Sequence, residues 1–345
     1  MRRTTLVFGA LALTALAVAG ALALALRWYR VPLAGAAEGG IVEIAPGQTL
    51  AAIADGLAAR GLLDHPRLWT LFARYTGQAT RLRAGEYALR PGTTPEELLD
   101  LLVSGRVLLH PITLIEGWTF AEALAAVQGS PVVKPTLKGA SAARTMELLG
   151  SAGVAPEGEL FPDTYLVPRG ATDLEVLKLA HVRLEQRLAA AWQERRPELP
   201  LASAYQALIL ASIVEKETGA PDERPRIAGV FVNRLRLGMR LQTDPSVIYG
   251  LGAAYDGSIH KRDLLADTPY NTYTRSGLPP TPIALPGAES LKAAVQPLAT
   301  EELYFVATGR GDGRHVFSHT LAQHDAAVAR YLAQLRGSAA HGTGR

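Results

Sequence analysis

The sequence predicts an α+β protein in three parts: a single N-terminal transmembrane helix, a small α/β subdomain and a larger mixed α+β domain. Three observations support this prediction. Residues 4–26 form an uncharged apolar run. The pattern of residues 41–89 predicts the order strand, helix, helix, strand. Residues 172–237 show three helical patterns, and short strands are predicted after them. The chain has 345 residues, which is enough for two or three folded units with separate cores.

The composition excludes several classes of function. Lys and Arg total 35 against 32 Asp and Glu, and there is no Lys/Arg tract, so we predict no nucleic-acid partner. The formal charge of +3 is compatible with a weak attraction to acidic wall polymers or anionic lipid. The absence of cysteine excludes a disulfide framework, a thiol nucleophile and a Cys-ligated metal. No Gly-rich phosphate loop follows a strand, and we expect no cofactor.

Residues 4–26 form the predicted membrane span. These 23 positions, TTLVFGALALTALAVAGALALAL, are long enough to cross a bilayer as a helix. A cleaved signal peptide is the alternative, because Ala21-Leu22-Ala23 resembles a cleavage site. We favour an uncleaved anchor, because the run is longer than the usual signal core. Cationic residues flank both ends and leave the orientation undecided by charge: Arg2 and Arg3 before the run, Arg27 and Arg30 after it, with Trp28 and Tyr29 suited to the interface.

The small subdomain is predicted over residues 41–108, after a flexible linker at residues 27–40. Its elements are a strand at Ile41–Ile44, a helix capped by Thr49, a helix capped by Asp64, a strand at Glu86–Leu89 and a helix capped by Thr94. The stretch PGQTLAAIADGL and the order of the first four elements resemble a LysM module, a small fold that binds glycans containing N-acetylglucosamine. A structural subdomain without a glycan site is the alternative.

The larger domain is predicted over residues 109–335, with its core at residues 204–335. Capping boxes at Thr119/Glu122 and Thr172/Glu175 begin helices at residues 120–127 and up to Trp192. His181 lies on the apolar stripe of the second helix and is predicted to be a partly buried packing residue and not a ligand. Beyond residue 240 we predict mostly loops, short strands at Leu303–Ala307 and Val316–Phe317, a last helix at residues 320–335, and a disordered tail at residues 336–345.

Glu217 is the candidate catalytic residue, at the end of the helical stretch AYQALILASIVEKETG. Helical steps back from Glu217 reach Val214, Ile213 and Leu210, so this carboxyl continues an apolar stripe. Glu215 has a more mixed surface behind it. Loss of hydration and the electronegative helix end both favour the neutral form of a carboxyl at this position. Such a group can act as a general acid near neutral pH. The alternative is a solvated helix end that only keeps the helix soluble.

A loop region after this helix combines aromatic and short polar side chains. It is followed by the stiff stretch GLPPTPIALPG at residues 277–287, whose prolines can wall a groove at little entropic cost. Sugars need apolar faces to stack on and polar groups for their hydroxyls, so we predict a glycan-binding groove here rather than a loop that only covers a core. The predicted substrate-binding residues are Gln242, Asp244, Asn271 and Tyr273.

Three histidines, His315, His319 and His324, are spaced by four and five residues. On one helix they would suggest a metal site. The Gly-rich stretch before His315 and the strand-like segment His315-Val316-Phe317 argue against a single helix, so we predict no metal.

Several motifs together resemble the YceG-like, or MltG-type, family of endolytic murein transglycosylases. They are ASIVEKETG (211–219), VFVNRLRLGMRLQTDPSVIYG (230–250) and YNTYTRSGLPPTPIALPGAESLKAA (270–294), joined by EGELFPDTY (157–165) and LYFVATG (303–309). The resemblance extends from the span to about residue 335. It implies that Glu217, the second glutamate of the Glu-Lys-Glu run, is catalytic. It also places His315, Phe317 and His324 in the last family motif and leaves His319 without a role.

The resemblance implies a single-pass protein of the cytoplasmic membrane, with residues 1–3 in the cytoplasm and the body on the outer side. Such an enzyme cleaves peptidoglycan glycan strands internally, between N-acetylmuramic acid (MurNAc) and N-acetylglucosamine (GlcNAc), and leaves a 1,6-anhydro-MurNAc end. It also implies a link to nascent strands and peptidoglycan synthases. Two alternatives remain: a lysozyme-like hydrolase that uses Glu217 with Asp244, and a non-enzymatic wall-binding scaffold that depends on the LysM-like unit.

Overall fold

The first element is a long N-terminal helix, α1 (Arg2–Tyr29), that contains the predicted span. The structure is a computed structural model that describes residues 2–342 and the side chains of residues 7–336. Within the described residues, one helical stretch, Val7–Ala36, is long and apolar enough to cross a membrane, and its most apolar window is fully exposed. An apolar helix without protein neighbours is typical of a segment that lipid surrounds.

By its internal contacts the chain divides into two units. The first unit comprises residues 1–110 and 166–170, and the second comprises residues 111–165 and 171–345. All residues of the candidate site discussed below belong to the second unit.

The first unit has the predicted order of elements. They are β1 (Gly40–Ile44), α2 (Leu50–Ala59), α3 (Pro66–Tyr75), β2 (Gly85–Leu89) and α4 (Pro95–Ser104). The two strands pair antiparallel, with Val42 opposite Tyr87. The helices pack over this ribbon through Trp69 and Leu98, which are fully buried. The order strand, helix, helix, strand is confirmed, whereas the likeness to a LysM module stays a prediction.

The predicted flexible linker at residues 27–40 is wrong for part of its length. Tyr29, Leu33 and Ala36 are buried in the core of the first unit. The backbone N–H of Leu33 donates to the carbonyl of Thr93 at 3.0 Å. The small residues of this segment are compatible with a flexible linker, but in the structure they permit close packing. A Cβ atom on Gly35 would lie 1.9 Å from the carbonyl oxygen of Gly61.

The remaining elements follow in chain order. They are β3 (Leu109–Thr113), α5 (Phe120–Gln128), α6 (Ala142–Leu149), β4 (Thr164–Pro168), α7 (Asp173–Gln193), α8 (Ala204–Glu217), α9 (Arg224–Arg236), α10 (Asp244–Leu251), α11 (Lys261–Leu265), α12 (Ala288–Val295), β5 (Tyr304–Ala307), β6 (His315–Ser318) and α13 (Leu321–Gly342). Strand β3 pairs with β4, and β5 with β6. The mixed helix and sheet content agrees with the predicted α+β class.

Both predicted capping boxes are present, at the N-termini of α5 and α7. His181 packs inside the protein and is more deeply buried than predicted, with its Nδ1 2.8 Å from the carbonyl oxygen of Glu159 and its Nε2 2.8 Å from the hydroxyl of Ser151.

Four helices are not predicted from the sequence, and the last helix is longer than predicted. Helix α6 lies in the segment that gives no clear pattern, α10 begins at an Asp-Pro pair, α11 is only five residues long within the predicted loops, and α12 follows a glycine that offers no side-chain cap. The last helix continues to Gly342, so residues 336–342 are helical and not part of a tail; residues 343–345 lie outside the described residues.

Helix α8 lies at the centre of the second unit. Residues 207–214 are all buried, and they share a hydrophobic core with residues of α9 and α12. The hydroxyl of Ser212 donates to the carbonyl of Ile209 at 2.7 Å and accepts the backbone N–H of Ile283 at 3.0 Å. The Pro-rich stretch at residues 277–287 is therefore fixed against α8, and the direction in which α8 emerges at its C-terminus is set by core packing.

Candidate active site

Glu217 is the last residue of α8, at the point where this buried helix reaches the surface. Leu210, Ile213 and Val214 on the preceding turns have no exposed surface, as the apolar stripe predicted. Glu217 itself is partly buried, and Thr218 caps the helix in an extended conformation. The core therefore holds the carboxyl next to solvent without leaving it fully hydrated.

Thr243 holds the Glu217 carboxyl in place. Its hydroxyl donates a hydrogen bond to Oε1 of Glu217. Thr243 is itself buried, its backbone N–H donates to the hydroxyl of Thr272 at 3.0 Å, and its carbonyl accepts from the hydroxyl of Ser246 at 2.8 Å. Since each of these groups has a partner, the donor to Glu217 is held in a fixed position.

The surroundings of Glu217 raise its pKa to about 7. Burial is the largest cause, because it penalises the charged carboxylate. The Thr243 hydrogen bond lowers the pKa, the negative charge of Asp244 raises it, and the guanidinium of Arg234 lowers it. The net result is a carboxyl that keeps its proton in a large fraction of molecules at neutral pH, which is what a general acid requires.

Glu215, two residues earlier, has a different environment. Its side chain is only 5% exposed, so it is more buried than its mixed helical surface indicated. Its Oε1 accepts from the guanidinium of Arg224 at 2.9 Å, and its Oε2 accepts the backbone N–H of Gly287 at 2.9 Å. Both oxygens are therefore occupied by the protein, which is typical of a structural ion pair.

Asp244 and Tyr273 lie beside this carboxyl and bind each other. The hydroxyl of Tyr273 donates to Oδ1 of Asp244 at 2.5 Å. Asp244 is the first residue of α10 and is exposed, and it directly follows the Thr243 that binds Glu217. The structure therefore brings together three residues predicted from sequence, Glu217, Asp244 and Tyr273.

Gln242 is exposed on the same segment. Its backbone has φ 52°, a left-handed conformation that is uncommon for a residue with a side chain. Its N–H donates to the carbonyl of Thr272 at 3.1 Å, and its side-chain oxygen lies 3.4 Å from the guanidinium of Arg234. Leu241 and Thr243, on either side of this residue, are buried, whereas Gln242 faces solvent.

Asn271 does not face solvent beside Glu217, contrary to the prediction that it lines the groove. It is 1% exposed. Its amide N donates to the carbonyls of Asp263, Leu264 and Ala266 at 3.1, 3.1 and 2.7 Å. Its Oδ1 accepts the backbone N–H of Tyr273 at 2.9 Å. These contacts indicate that Asn271 shapes the loop that carries Tyr273, because its hydrogen-bonding capacity is already used.

Arg234 is a member of the site that the sequence interpretation missed. This buried guanidinium donates through Nε to the carbonyl of Leu303 at 2.6 Å and through Nη1 to the carbonyl of Leu241 at 2.7 Å. The helical spacing of the sequence could have indicated its burial. Arg234 lies three residues after Phe231 and four after Val230, which places it on the buried face of α9. An arginine on such a face is expected to have a specific partner.

Comparison with known proteins identifies the family. The sequence pattern that defines the YceG-like family matches residues 42–330. The chain is 30% identical over 308 residues to the endolytic murein transglycosylase of Bacillus subtilis (strain 168), and the match covers 84% of each protein. This chain belongs to the YceG-like family. The resemblance noted from the sequence motifs is confirmed.

Two further proteins are similar to this YceG-like protein. It is 27% identical over 323 residues to the endolytic murein transglycosylase of Streptococcus pneumoniae (strain ATCC BAA-255 / R6), a match that covers 84% of this chain and 58% of that protein. The crystal structure of a YceG-like protein from Listeria monocytogenes superposes with a TM-score of 0.54 at 28% identity, covering 84% of this chain and 98% of the other.

The last family motif lies on β6 and α13 of this YceG-like protein. His315 Nδ1 is 2.8 Å from Oε2 of Glu223, and the guanidinium of Arg226 lies 4.1 Å from the ring centre of Phe317. His324 stacks on Tyr304 with a ring separation of 5.2 Å, and Tyr304 in turn lies under the guanidinium of Arg234. These contacts connect the β5–β6 ribbon to α9 and to the arginine beside Glu217.

A surface cavity of about 620 Å³ lies in the first unit, lined by Leu89, Arg90, Thr93, Glu97 and Arg106 among others. It shares no residue with the surroundings of Glu217. The candidate site is therefore identified by the chemistry of its side chains and not by the size of a cavity.

Proposed function

We propose that this YceG-like protein is an endolytic peptidoglycan lytic transglycosylase. It cleaves the bond between MurNAc and GlcNAc within a glycan strand and leaves a 1,6-anhydro-MurNAc end. Family membership and the similarity to proteins named endolytic murein transglycosylase support this class of enzyme. The observation that carries the proposal is the Glu217 carboxyl, which is partly buried at the C-terminus of α8 and has a pKa of about 7.

Glu217 acts first as an acid. Its protonated carboxyl donates a proton to the glycosidic oxygen as the bond to the anomeric carbon of MurNAc breaks. Positive charge develops on that carbon, and the nearby carboxylates of Glu217 and Asp244 favour it electrostatically. Thr243 binds Oε1 of Glu217, so Oε2 is the oxygen free to carry the proton toward the sugar.

Glu217 then acts as a base. Its carboxylate takes the proton from the C6 hydroxyl of the same MurNAc residue, and the C6 oxygen attacks the anomeric carbon to form the 1,6-anhydro ring. The carboxyl regains its proton, and no water is consumed. Because the nucleophile is part of the substrate, the gain from intramolecular attack can reach about 7–11 kcal/mol in well-oriented cases. One carboxyl can therefore serve as both acid and base, whereas most glycosidases use two carboxyl groups.

Gln242, Asp244 and Tyr273 are the proposed substrate contacts, since all three lie at or near the surface next to Glu217. Asn271 contributes indirectly by holding the loop that carries Tyr273. We also propose that α1 anchors the protein in the cytoplasmic membrane with its body on the outer side. Nascent strands and the peptidoglycan synthases that make them are the proposed substrate source and partners.

A hydrolase that uses Asp244 is the second candidate. The exposed carboxyl of Asp244 is close enough to Glu217 to raise its pKa, which is the arrangement a two-carboxylate enzyme needs. The hydrogen bond from Tyr273 occupies one oxygen of Asp244. As with Glu217, a hydrogen bond to one carboxyl oxygen leaves the second available, so the reaction products decide between the two candidates.

Analysis of the strand ends tests the proposal. Purified full-length protein is incubated with isolated glycan strands, and the new ends are measured by mass spectrometry. We expect 1,6-anhydro ends from the wild type and none from Glu217→Gln. Glu289→Gln, an exposed glutamate of α12, is the matched control and keeps the wild-type products. Free reducing ends would establish the hydrolase instead, and an active Glu217→Gln protein would exclude both.

A further inference from the structure

We propose that an exposed face of α3 lies on the headgroup layer of the bilayer and binds anionic lipid headgroups. This surface, the α3 face, consists of Arg67, Leu68, Leu71, Arg74 and Tyr75. The inference rests on the proposed anchoring of the chain by α1. It adds a second membrane contact, made by the folded first unit itself.

The end of α1 is built into the first unit. The ring of Tyr29 stacks on Phe72 of α3 with a centroid separation of 4.3 Å and an interplanar angle of 16°. The ring of Trp28 meets His65, at the start of α3, edge-on at 5.3 Å. Because Tyr29 and Leu33 are also buried, the first unit packs directly against the end of α1 and is not joined to it by a flexible linker.

The same two contacts give the direction of α3. Trp28 and Tyr29 are neighbours in α1, so they differ in height along that helix by about 1.5 Å. Their partners, His65 and Phe72, are seven residues apart, which is about 10 Å along α3. Helix α3 therefore runs across the end of α1, and it lies approximately parallel to the surface of a membrane that α1 crosses.

The composition of the α3 face is that of an interfacial helix. Trp69 and Ala73 point into the core, whereas Leu71 is 62% exposed and Tyr75 is 88% exposed. Leu71 and Tyr75 are four residues apart, and partly exposed Leu68 precedes Leu71 by three, so the three form one apolar strip. Such a strip is costly in water and is stabilised in the boundary between headgroups and acyl chains.

Charge identifies the lipid. Arg67 and Arg74 flank the apolar strip, and the sequence of α3, PRLWTLFARY, contains no acidic residue. The closest acid before the helix is Asp64. Two more arginines lie near the end of α1 in sequence: Arg27 in its last turn, and Arg30 directly after it, 3.6 Å from Glu96. A helix with an apolar strip between arginines is complementary to an anionic headgroup layer.

Quenching by lipid tests the inference in the full chain. Since the chain has no cysteine, one introduced cysteine gives a unique attachment point for an environment-sensitive fluorophore. We would label Leu71→Cys and Tyr75→Cys, with Glu43→Cys, exposed on β1, as the control in the same unit. The protein is inserted into nanodiscs that contain phosphatidylglycerol and a lipid spin-labelled near the headgroup. We expect at least about twofold more quenching at Leu71 and Tyr75 than at Glu43.

A label at Ala15→Cys, within α1, separates this inference from the proposed anchoring. Ala15 is at the middle of the predicted span, so it is measured in nanodiscs whose lipid carries the spin label deep in the acyl chain. Strong quenching at Ala15 by that lipid, with equal quenching at Leu71, Tyr75 and Glu43 by the headgroup label, would overturn the α3 contact and leave the anchor standing. An Ala15 label that neither lipid quenches would overturn both.

The choice of lipid tests the role of charge. Replacing phosphatidylglycerol by phosphatidylcholine, or introducing Arg67→Gln together with Arg74→Gln, should reduce the quenching at Tyr75. A signal that is unchanged in both experiments would overturn the binding of anionic headgroups.

Discussion

The hydroxyl of Thr243 donates a hydrogen bond to the carboxyl of Glu217, and so connects the start of α10 to the end of α8. This bond favours the ionised carboxylate, yet burial and the charge of Asp244 outweigh it, and the pKa of Glu217 is about 7. Two neighbours therefore shift the same pKa in opposite directions. Changing each in turn tests whether this balance controls activity.

Removing the Thr243 hydroxyl should move the pH profile toward higher pH. In Thr243→Val the carboxylate loses its donor, so the pKa of Glu217 rises. A general acid is active when protonated, and the fall of kcat/KM at high pH should shift upward by about half a unit to one unit. Thr243→Ser keeps the hydroxyl and should keep the wild-type profile. A profile that is the same for all three proteins would remove Thr243 from the account.

Removing the charge of Asp244 should have the opposite effect. In Asp244→Asn the repulsion that disfavours ionised Glu217 is lost, so the pKa of Glu217 falls and the profile shifts to lower pH. We expect measurable activity at pH 5, with anhydro ends as products. Complete loss of activity at every pH, with the fold intact by circular dichroism, would instead indicate that Asp244 takes a direct part in the reaction.

Glu217→Gln should stabilise the protein at alkaline pH. The folded-state pKa of Glu217 is raised from 4.5 to about 7, so its contribution to stability is fully present below about pH 4.5 and is lost as the pH rises through about 7. Glutamine does not titrate. With allowance for solvent screening, the gain in the free energy of unfolding over wild type should be about 2 kcal/mol larger at pH 8 than at pH 4.5.

Glu215→Gln is the matched comparison for this measurement. It removes the nearer of the two carboxylates that face the guanidinium of Arg224, at 2.9 Å against 3.7 Å for Glu116, so we expect a loss of about 2 kcal/mol at neutral pH. Urea unfolding of both variants at several pH values gives the comparison. Stabilisation of the Glu215 variant, or destabilisation of the Glu217 variant at pH 8, would reverse the roles assigned to the two glutamates.

Asn271→Ala distinguishes a loop-holding residue from a direct substrate contact. Three carbonyls lose their donor, and we expect a loss of about 1–3 kcal/mol in the free energy of unfolding. Displacement of Tyr273 should lower kcat/KM at the same time. If instead KM alone rises and the stability is unchanged, the residue contacts the substrate as first predicted from the sequence.

The sequence is sufficient to predict that Glu217 ends a buried helix and to predict the order of the major helices, because both depend on local patterns. The stripe behind Glu217 has a period set by helix geometry, and capping boxes at Thr119 and Thr172 lie within four residues. Such features need no knowledge of tertiary contacts.

The partners of Glu217 could not be predicted in the same way. Thr243 meets Glu217 across 26 residues of sequence, and Arg234 meets the carbonyl of Leu303 across 69. The polar character of Asn271 and its position between aromatic residues favour the groove, but its carbonyl partners follow from the path of its own loop. The small residues at 27–40 favour a linker for a similar reason, since composition does not show that Leu33 and Ala36, after the end of α1, are buried.

The most direct test of the account is a titration of the Glu217 carboxyl itself. Protein labelled with ¹³C at the glutamate side-chain carboxyls is titrated from pH 4 to pH 9, and the Glu217 signal is assigned by its absence in Glu217→Gln. We predict a midpoint near 7, well above the ordinary value of 4.5. A midpoint near 4.5 would mean that Glu217 is ionised at neutral pH, and it would contradict the proposal that this residue donates the proton.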